Sequence, residues 1–160
     1  MLHRWTVRDS GPTSTPSCRR TSNRVAENRP ARGILDTSVV IDLDRLDPSV
    51  LPIEVAVSAI TMAELAAGPH ATSDPAERAL RQDRLQRAEA AFDPLPFDSE
   101  SSRAYGRIYA AVVAAGRKAR GGRAVDLFIA ATACAAGLPL YTRNPADFRA
   151  LEGLIEVVSV

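Results

Sequence analysis

The chain has 160 residues, 46% of them hydrophobic and 24% charged, which suits one globular domain with a real core. No apolar run approaches the roughly 20 residues that span a bilayer. The two cysteines, Cys18 and Cys134, suggest no disulfide framework, and His3 and His70 sit in no motif, so the expected setting is reducing and cytoplasmic, with neither a histidine triad nor a His-rich zinc site. The formal net charge of +1 hides an asymmetry: seven arginines precede Ile34 against Asp9 and Glu27, leaving 13 Lys and Arg against 17 Asp and Glu in the remainder. The main part of the chain therefore offers a polyanion no overall basic patch.

Residues 1–32 are dominated by Ser, Thr, Pro and Arg and show no period of 2 or 3.6. Such a composition cannot bury enough surface to offset ordering entropy, and it predicts a disordered extension with at most weak affinity for RNA. It also lacks the apolar core of a signal peptide. The predicted domain covers residues 33–160.

Its first strand, about residues 33–36, runs straight into Asp36. A short helix follows, roughly Ser38 to Leu46, before Pro48. Val55 to Ser58 reads as a second strand, and Ile60 to Ala67 as a short helix that carries Glu64 and stops at Gly68-Pro69. Asp74, Pro75 and Glu77 form a helix start. That helix runs to about Phe92, with Leu80, Leu85, Ala88 and Phe92 apolar and a wide solvated face. Asp93-Pro94 breaks the chain, and Leu95 to Phe97 is a third strand. Asp98 caps the next helix, where Tyr105, Ile108, Tyr109, Val112 and Val113 recur at helical spacing. Arg117 to Arg123 is a basic, Gly-containing loop. Ala124 to Ala136 is an apolar helix stopped by Gly137. Leu138 to Thr142 is strand four, Asn144-Pro145 starts a short helix through Leu151, and Ile155 to Val158 is strand five. Strands alternating with helices imply an α/β fold: a parallel sheet with helices on both faces and right-handed crossovers.

Four carboxylates then stand out by position. Asp36 ends strand one, Glu64 lies on the helix after strand two, Asp126 enters an apolar helix, and Asp147 begins the helix after strand four. In a parallel sheet these places converge on the carboxyl edge, where such folds keep their chemistry. Each has a bland alternative. Asp36 and Asp147 are good helix-capping residues, and Glu64 suits a solvated helix face. Asp126 is the least innocent, because a charge on a helix that is apolar nearly all round needs a partner beyond the helix dipole. Clustered carboxylates repel one another, and a divalent cation removes the conflict. All-oxygen ligation without His or Cys suits Mg²⁺ or Mn²⁺, and such a site performs phosphodiester hydrolysis.

These residues resemble the PIN domain, and within it the VapC-type ribonuclease toxins of toxin–antitoxin pairs. The resemblance spans essentially Gly33 to Val160. It rests on Ile34-Leu35-Asp36-Thr37-Ser38, on Ser58 to Leu65 around Glu64, on Asp126 to Ala133, and on Tyr141-Thr142-Arg143-Asn144 through Asp147-Phe148. It implies a three-layer α/β/α fold whose five-stranded parallel sheet has the order 3-2-1-4-5. It implies Mg²⁺- or Mn²⁺-dependent endonucleolytic cleavage of RNA, with tRNA or rRNA as the target class. Asp36, Glu64, Asp126 and Asp147 would form the catalytic pocket, with Asp36 and Asp126 as direct metal ligands. Thr37, Ser38, Thr142 and Asn144 would orient carboxylates or contact phosphate. A homodimer and a VapB-like antitoxin are the implied partners, the antitoxin docking around residues 60–92. Beside the family pattern, Arg117, Lys118, Arg120 and Arg123 form a loop before Asp126 that is expected to grip RNA phosphate, with a solvated loop as the alternative.

Competing readings fare worse. Aspartyl phosphatases want a second Asp where Ser38 stands, receivers want a lysine after the last strand, and no phosphate-binding glycine loop appears. A catalytically weak PIN-fold module that binds RNA is the remaining alternative.

Overall fold

The computed structural model describes residues 30–118 and 121–160. The body of the predicted extension, residues 1–29, and Arg120 of the basic loop lie outside the described residues. Pro30 and Ala31 already pair with the folded body, their carbonyls accepting from the backbone N–H groups of Ile53 and Glu54.

The described residues form four parallel strands: β1 (Arg32–Leu35), β2 (Glu54–Ala56), β3 (Leu140–Thr142) and β4 (Val157–Ser159), in the order β2-β1-β3-β4. The expected sheet had five. The missing one is the edge strand predicted at Leu95–Phe97, which survives as a single parallel bridge between Leu95 and Ser58. Leu95 makes both its backbone bonds there, to the Val57 carbonyl at 2.9 Å and from the Ala59 N–H at 2.8 Å. Its neighbours Pro94 and Pro96 have φ fixed at about −65°, away from the roughly −120° of a parallel strand, so the extended geometry is not carried past Leu95. The bridge nevertheless lies beside β2, so the order of the other strands follows the expected topology.

Among the described residues, five α-helices surround the sheet: α1 (Thr37–Ile41), α2 (Ala59–Ala67), α3 (Pro75–Ala91), α4 (Ser99–Ala114) and α5 (Gly122–Ala136). The predicted first helix is α1 plus a separate 3-10 turn at Leu43–Arg45, and the predicted last helix is a 3-10 segment, Pro145–Leu151. Helix α5 starts two residues earlier than expected and ends where Gly137 takes a left-handed conformation, φ 64°.

Side chains alternate across the strands, so neighbouring residues feed opposite cores. Ile34 and Leu140 join Ile108, Val112, Leu127 and Phe148 on the face covered by α4 and α5. Leu35 and Tyr141 join Val39, Val57, Leu65 and Leu85 on the face covered by α1, α2 and α3. The result is the three-layer α/β/α arrangement. Between the layers Gly33 is held against Tyr141, where an added Cβ would lie 2.4 Å from the ring. On α4, Ile108 and Val112 are buried while Tyr109 and Val113 are exposed. Tyr105 stacks on Phe128 of α5 at 4.4 Å, and Phe97 meets the same ring edge-on at 5.3 Å. On α3, Leu85 and Ala88 are buried as expected, but Leu80 is 48% exposed. Among the described residues, no helix is long and apolar enough to cross a membrane.

Candidate active site

Asp36 follows β1 and stands at the cap position of α1, yet its side chain makes no capping bond. Its carboxylate turns inward and is only 4% exposed. Oδ2 accepts from Ser38 Oγ at 2.7 Å and from Thr142 Oγ1 at 2.9 Å. Each hydroxyl is itself oriented by a backbone donor: Arg143 N–H points to Ser38 Oγ at 3.2 Å, and Asn144 N–H to Thr142 Oγ1 at 3.0 Å. With both hydroxyl protons committed to Asp36, the 3.5 Å approach of Ser38 to Thr142 is a contact and not a bond between them. Asp36 Oδ1 is different: it is buried and has no partner among the described residues. Capping is therefore excluded as the role of this carboxylate.

The other three acids arrive from separate elements. Glu64 lies on α2, itself capped by Ser58, and accepts a hydrogen bond from Thr37 Oγ1. Asp126 lies past the first turn of α5, because the early start of that helix moves it inward. It is partly buried rather than fully so. Asp147 lies in the 3-10 segment after β3 and pairs with Arg123 Nη2 at 3.3 Å. The expected cap at Asn144 does not form, so Asn144 acts on the site through its backbone N–H while its side chain is exposed.

That the four acids share one field is visible in Asp126. Its carboxyl is pushed up from 3.8 to about 6, first by burial, then by the charges of Asp36, Glu64 and Asp147, with Arg123 opposing. The residues present fit a divalent cation. A buried anionic oxygen without a partner is costly, and Asp36 Oδ1 is one. Among the described residues, no three Asp, Glu, His or Cys are grouped tightly enough to hold a metal ion by themselves. Mg²⁺, however, is commonly bound by one or two carboxylates with water completing its shell.

The basic loop is partly committed elsewhere. Arg117 Nη1 donates to the Ala146 carbonyl at 3.0 Å, and Arg123 reaches Asp147, so both clamp the turn after β3. Lys118 is exposed. Sequence reasoning missed the Arg123–Asp147 pair. No local signal gives that pair, because Asp147 lies 24 residues further along the chain; the spacing of Arg123 and Asp126 places Arg123 only on the helix that carries one of the acids.

Beside Thr37 and Glu64 opens a groove of about 410 Å³, lined also by Ile41, Leu80, Arg81 and Arg84. A second cleft, of about 340 Å³, lies at the opposite, amino edge of the sheet between Arg32, Glu54, Leu95 and Ala136, away from the four acids.

Comparison with known proteins places this geometry in context. The sequence profile of the PIN domain matches residues 33–154. Ribonuclease VapC5 of Mycobacterium tuberculosis is 36% identical over 136 residues, covering 82% of this chain and 97% of that protein. VapC ribonuclease Y4jK of Sinorhizobium fredii is 36% identical over 129 residues, covering 73% and 90%. Among solved structures, VapBC-5 of the M. tuberculosis VapBC toxin–antitoxin family superposes with a TM-score of 0.72, covering 82% of this chain and all of that one at 36% identity.

Proposed function

This chain belongs to the PIN-domain family and is a homologue of VapC ribonucleases, and on that premise we propose that it is a metal-dependent endoribonuclease, the toxin of a toxin–antitoxin pair. The observation that carries the reading is Asp36: one carboxylate oxygen held by two hydroxyls, the other buried without a partner, beside three further acids.

Asp36 and Asp126 would hold Mg²⁺ or Mn²⁺. Such a cation supplies activation of a water nucleophile and neutralisation of charge at the scissile phosphate. The chain's own residues do the rest. Ser38 and Thr142 fix Asp36 Oδ2, which holds the carboxylate in one orientation and leaves the buried Oδ1 for the cation. Thr37 holds Glu64 by Oε2, leaving Oε1 to orient the water and accept its proton. The water oxygen attacks phosphorus, and the bond to the leaving ribose oxygen breaks, its electron pair staying on that oxygen, which takes a proton from solvent. Asp147 acts at the margin, tied to Arg123.

The substrate is RNA, with single-stranded or loop segments of tRNA or rRNA preferred, because unstacked bases and bent backbones are accessible there. The groove beside Glu64 suits the antitoxin. Its exposed Ile41 and Leu80 offer apolar anchors, and Arg81 and Arg84 offer charge, for an amphipathic helix. A homodimer acting in the cytoplasm completes the proposal.

The test is cleavage of a total RNA pool by protein purified free of antitoxin, in Mg²⁺ and in EDTA, beside Asp126→Asn. Cuts that need both the metal and Asp126 are expected. No cuts in any lane from folded protein would leave an RNA-binding module without activity.

A further inference from the structure

Arg123 is the one cation among the described residues that pairs with a member of the acidic pocket, and the pairing is poorly made. Its Nη2 lies 3.3 Å from Asp147 Oδ1. The exposed ion pairs Arg32–Glu54 at 2.7 Å and Arg87–Asp44 at 2.7 Å are both shorter, as charge-assisted bonds usually are. The Nε of Arg123 is buried and has no acceptor among the described residues. A guanidinium presents five donors in a rigid fork suited to carboxylate and phosphate alike. Here the fork is under-used, with its buried N–H unsatisfied.

The surroundings leave it free to change partner. The side chain is 35% exposed and can be reached by a polyanion. Gly121 and Gly122, just before it, have nothing within 4 Å of where a Cβ would be. The turn that carries Asp147 has a second tie, because Arg117 separately binds the Ala146 carbonyl at 3.0 Å. Arg123 also partly offsets the repulsion on Asp126, so it already performs part of the work of a bound cation.

We infer that Arg123 is an exchangeable counter-ion: in the RNA-free protein it holds Asp147, and on RNA binding its guanidinium passes to a backbone phosphate and releases Asp147 to the cation-binding acids. The inference rests on the nuclease reading above and assigns Arg123 as a positioning residue for both substrate and metal. It couples loading of metal to the presence of RNA, since each phosphate captured by Arg123 returns one carboxylate to the pocket.

The experiment measures Mn²⁺ affinity by calorimetry and binding of a fluorescent single-stranded RNA oligonucleotide in EDTA across a salt series, for wild type, Arg123→Ala, Arg123→Lys, Asp147→Asn and the Arg123→Ala/Asp147→Asn double variant. Arg123→Ala should bind Mn²⁺ several-fold tighter, bind RNA more weakly, and lower the salt slope by about 1. Asp147→Asn in the double variant should erase the Mn²⁺ gain, and Arg123→Lys should keep the salt slope of wild type. An Arg123→Ala protein with unchanged Mn²⁺ affinity or unchanged salt slope overturns the exchange, even if its Tm falls, because a structural strut would do no more than that. Wild-type Mn²⁺ binding and metal-dependent cleavage, run in parallel, report on the nuclease reading separately. Their absence overturns that reading and the inference with it, whereas their presence beside an unchanged Arg123→Ala overturns the inference alone.

Discussion

Asp98 stands at the cap position of helix α4 and Asp36 at that of helix α1, and the same residue type at the same helical position does opposite things. Asp98 accepts from the Ser101 backbone N–H at 2.9 Å, and that bond holds its carboxyl below the ordinary 3.8. Asp36 makes no such bond and turns into the protein, where Ser38 and Thr142 take one oxygen and nothing takes the other. Asp126, on the helix packed against α4, completes the contrast, with its carboxyl raised to about 6 by burial and by its acidic neighbours. A carboxylate that stabilises its own helix is satisfied by the chain. One placed among other carboxylates is left wanting a cation, and the unsatisfied state is the mark of a site.

The contrast can be broken most forcefully at Asp36. Asp36→Asn should reduce RNA cleavage at least roughly a hundredfold, while Asp98→Asn leaves the rate unchanged. Measured turnover on the same RNA decides this, and an active Asp36→Asn enzyme would refute the mechanism. Next comes the support of Asp36. Thr142→Val removes one of its two hydroxyl donors and should weaken Mg²⁺ binding by about 10- to 100-fold, read by calorimetry. Unchanged affinity would show that Ser38 alone suffices.

Stability against pH sharpens the comparison by sign. Asp126 has a folded pKa of about 6 against an ordinary 3.8, so its contribution is fully present below 3.8 and is lost as pH rises through about 6. In EDTA at neutral pH, Asp126→Asn should therefore be more stable than wild type by on the order of 1 kcal/mol, discounted for the solvent that reaches the group. The gain should vanish in acid and shrink in saturating Mg²⁺. Asp98 has the opposite sign: its lowered pKa contributes stability above 3.8 that is lost as pH falls through the folded value. Asp98→Ala should lower Tm slightly at neutral pH and the difference should close in acid. Thermal unfolding across pH tests both. Parallel pH profiles for the two variants would contradict the division between capping and pocket carboxylates.

Much of this was legible in the chain. Asp74-Pro75 and Asp98 mark true helix starts, because caps and first-turn residues are local chemistry. The Ile34-Leu35 and Leu140-Tyr141 pairs mark buried strands, because both faces of the sheet are covered. The third strand misled because an apolar run reads as a strand, while the fixed φ of the prolines on either side of Leu95 departs from strand geometry and a single bridge remains. The start of α5 misled because Gly121-Gly122 reads as loop, although helix packing against α4 carries the helix through Gly122.

The strand order was implied by the resemblance to the PIN domain and by no local pattern. From the sequence pattern came an α/β class with helices on both faces of a parallel sheet, and four acids each placed after a strand or on the helix behind it. Periodicity and helix caps decide such things within a few residues, so they can be read along the chain. The tertiary structure alone decided that Thr142 holds the carboxylate of Asp36, and that Arg123 meets Asp147. Those outcomes turn on partners 24 and 106 residues apart in the chain, as between Arg123 and Asp147 and between Asp36 and Thr142. Only the closing of the sheet brings them within hydrogen-bond reach, and hydrogen bonds and charges act at that range and not along the sequence.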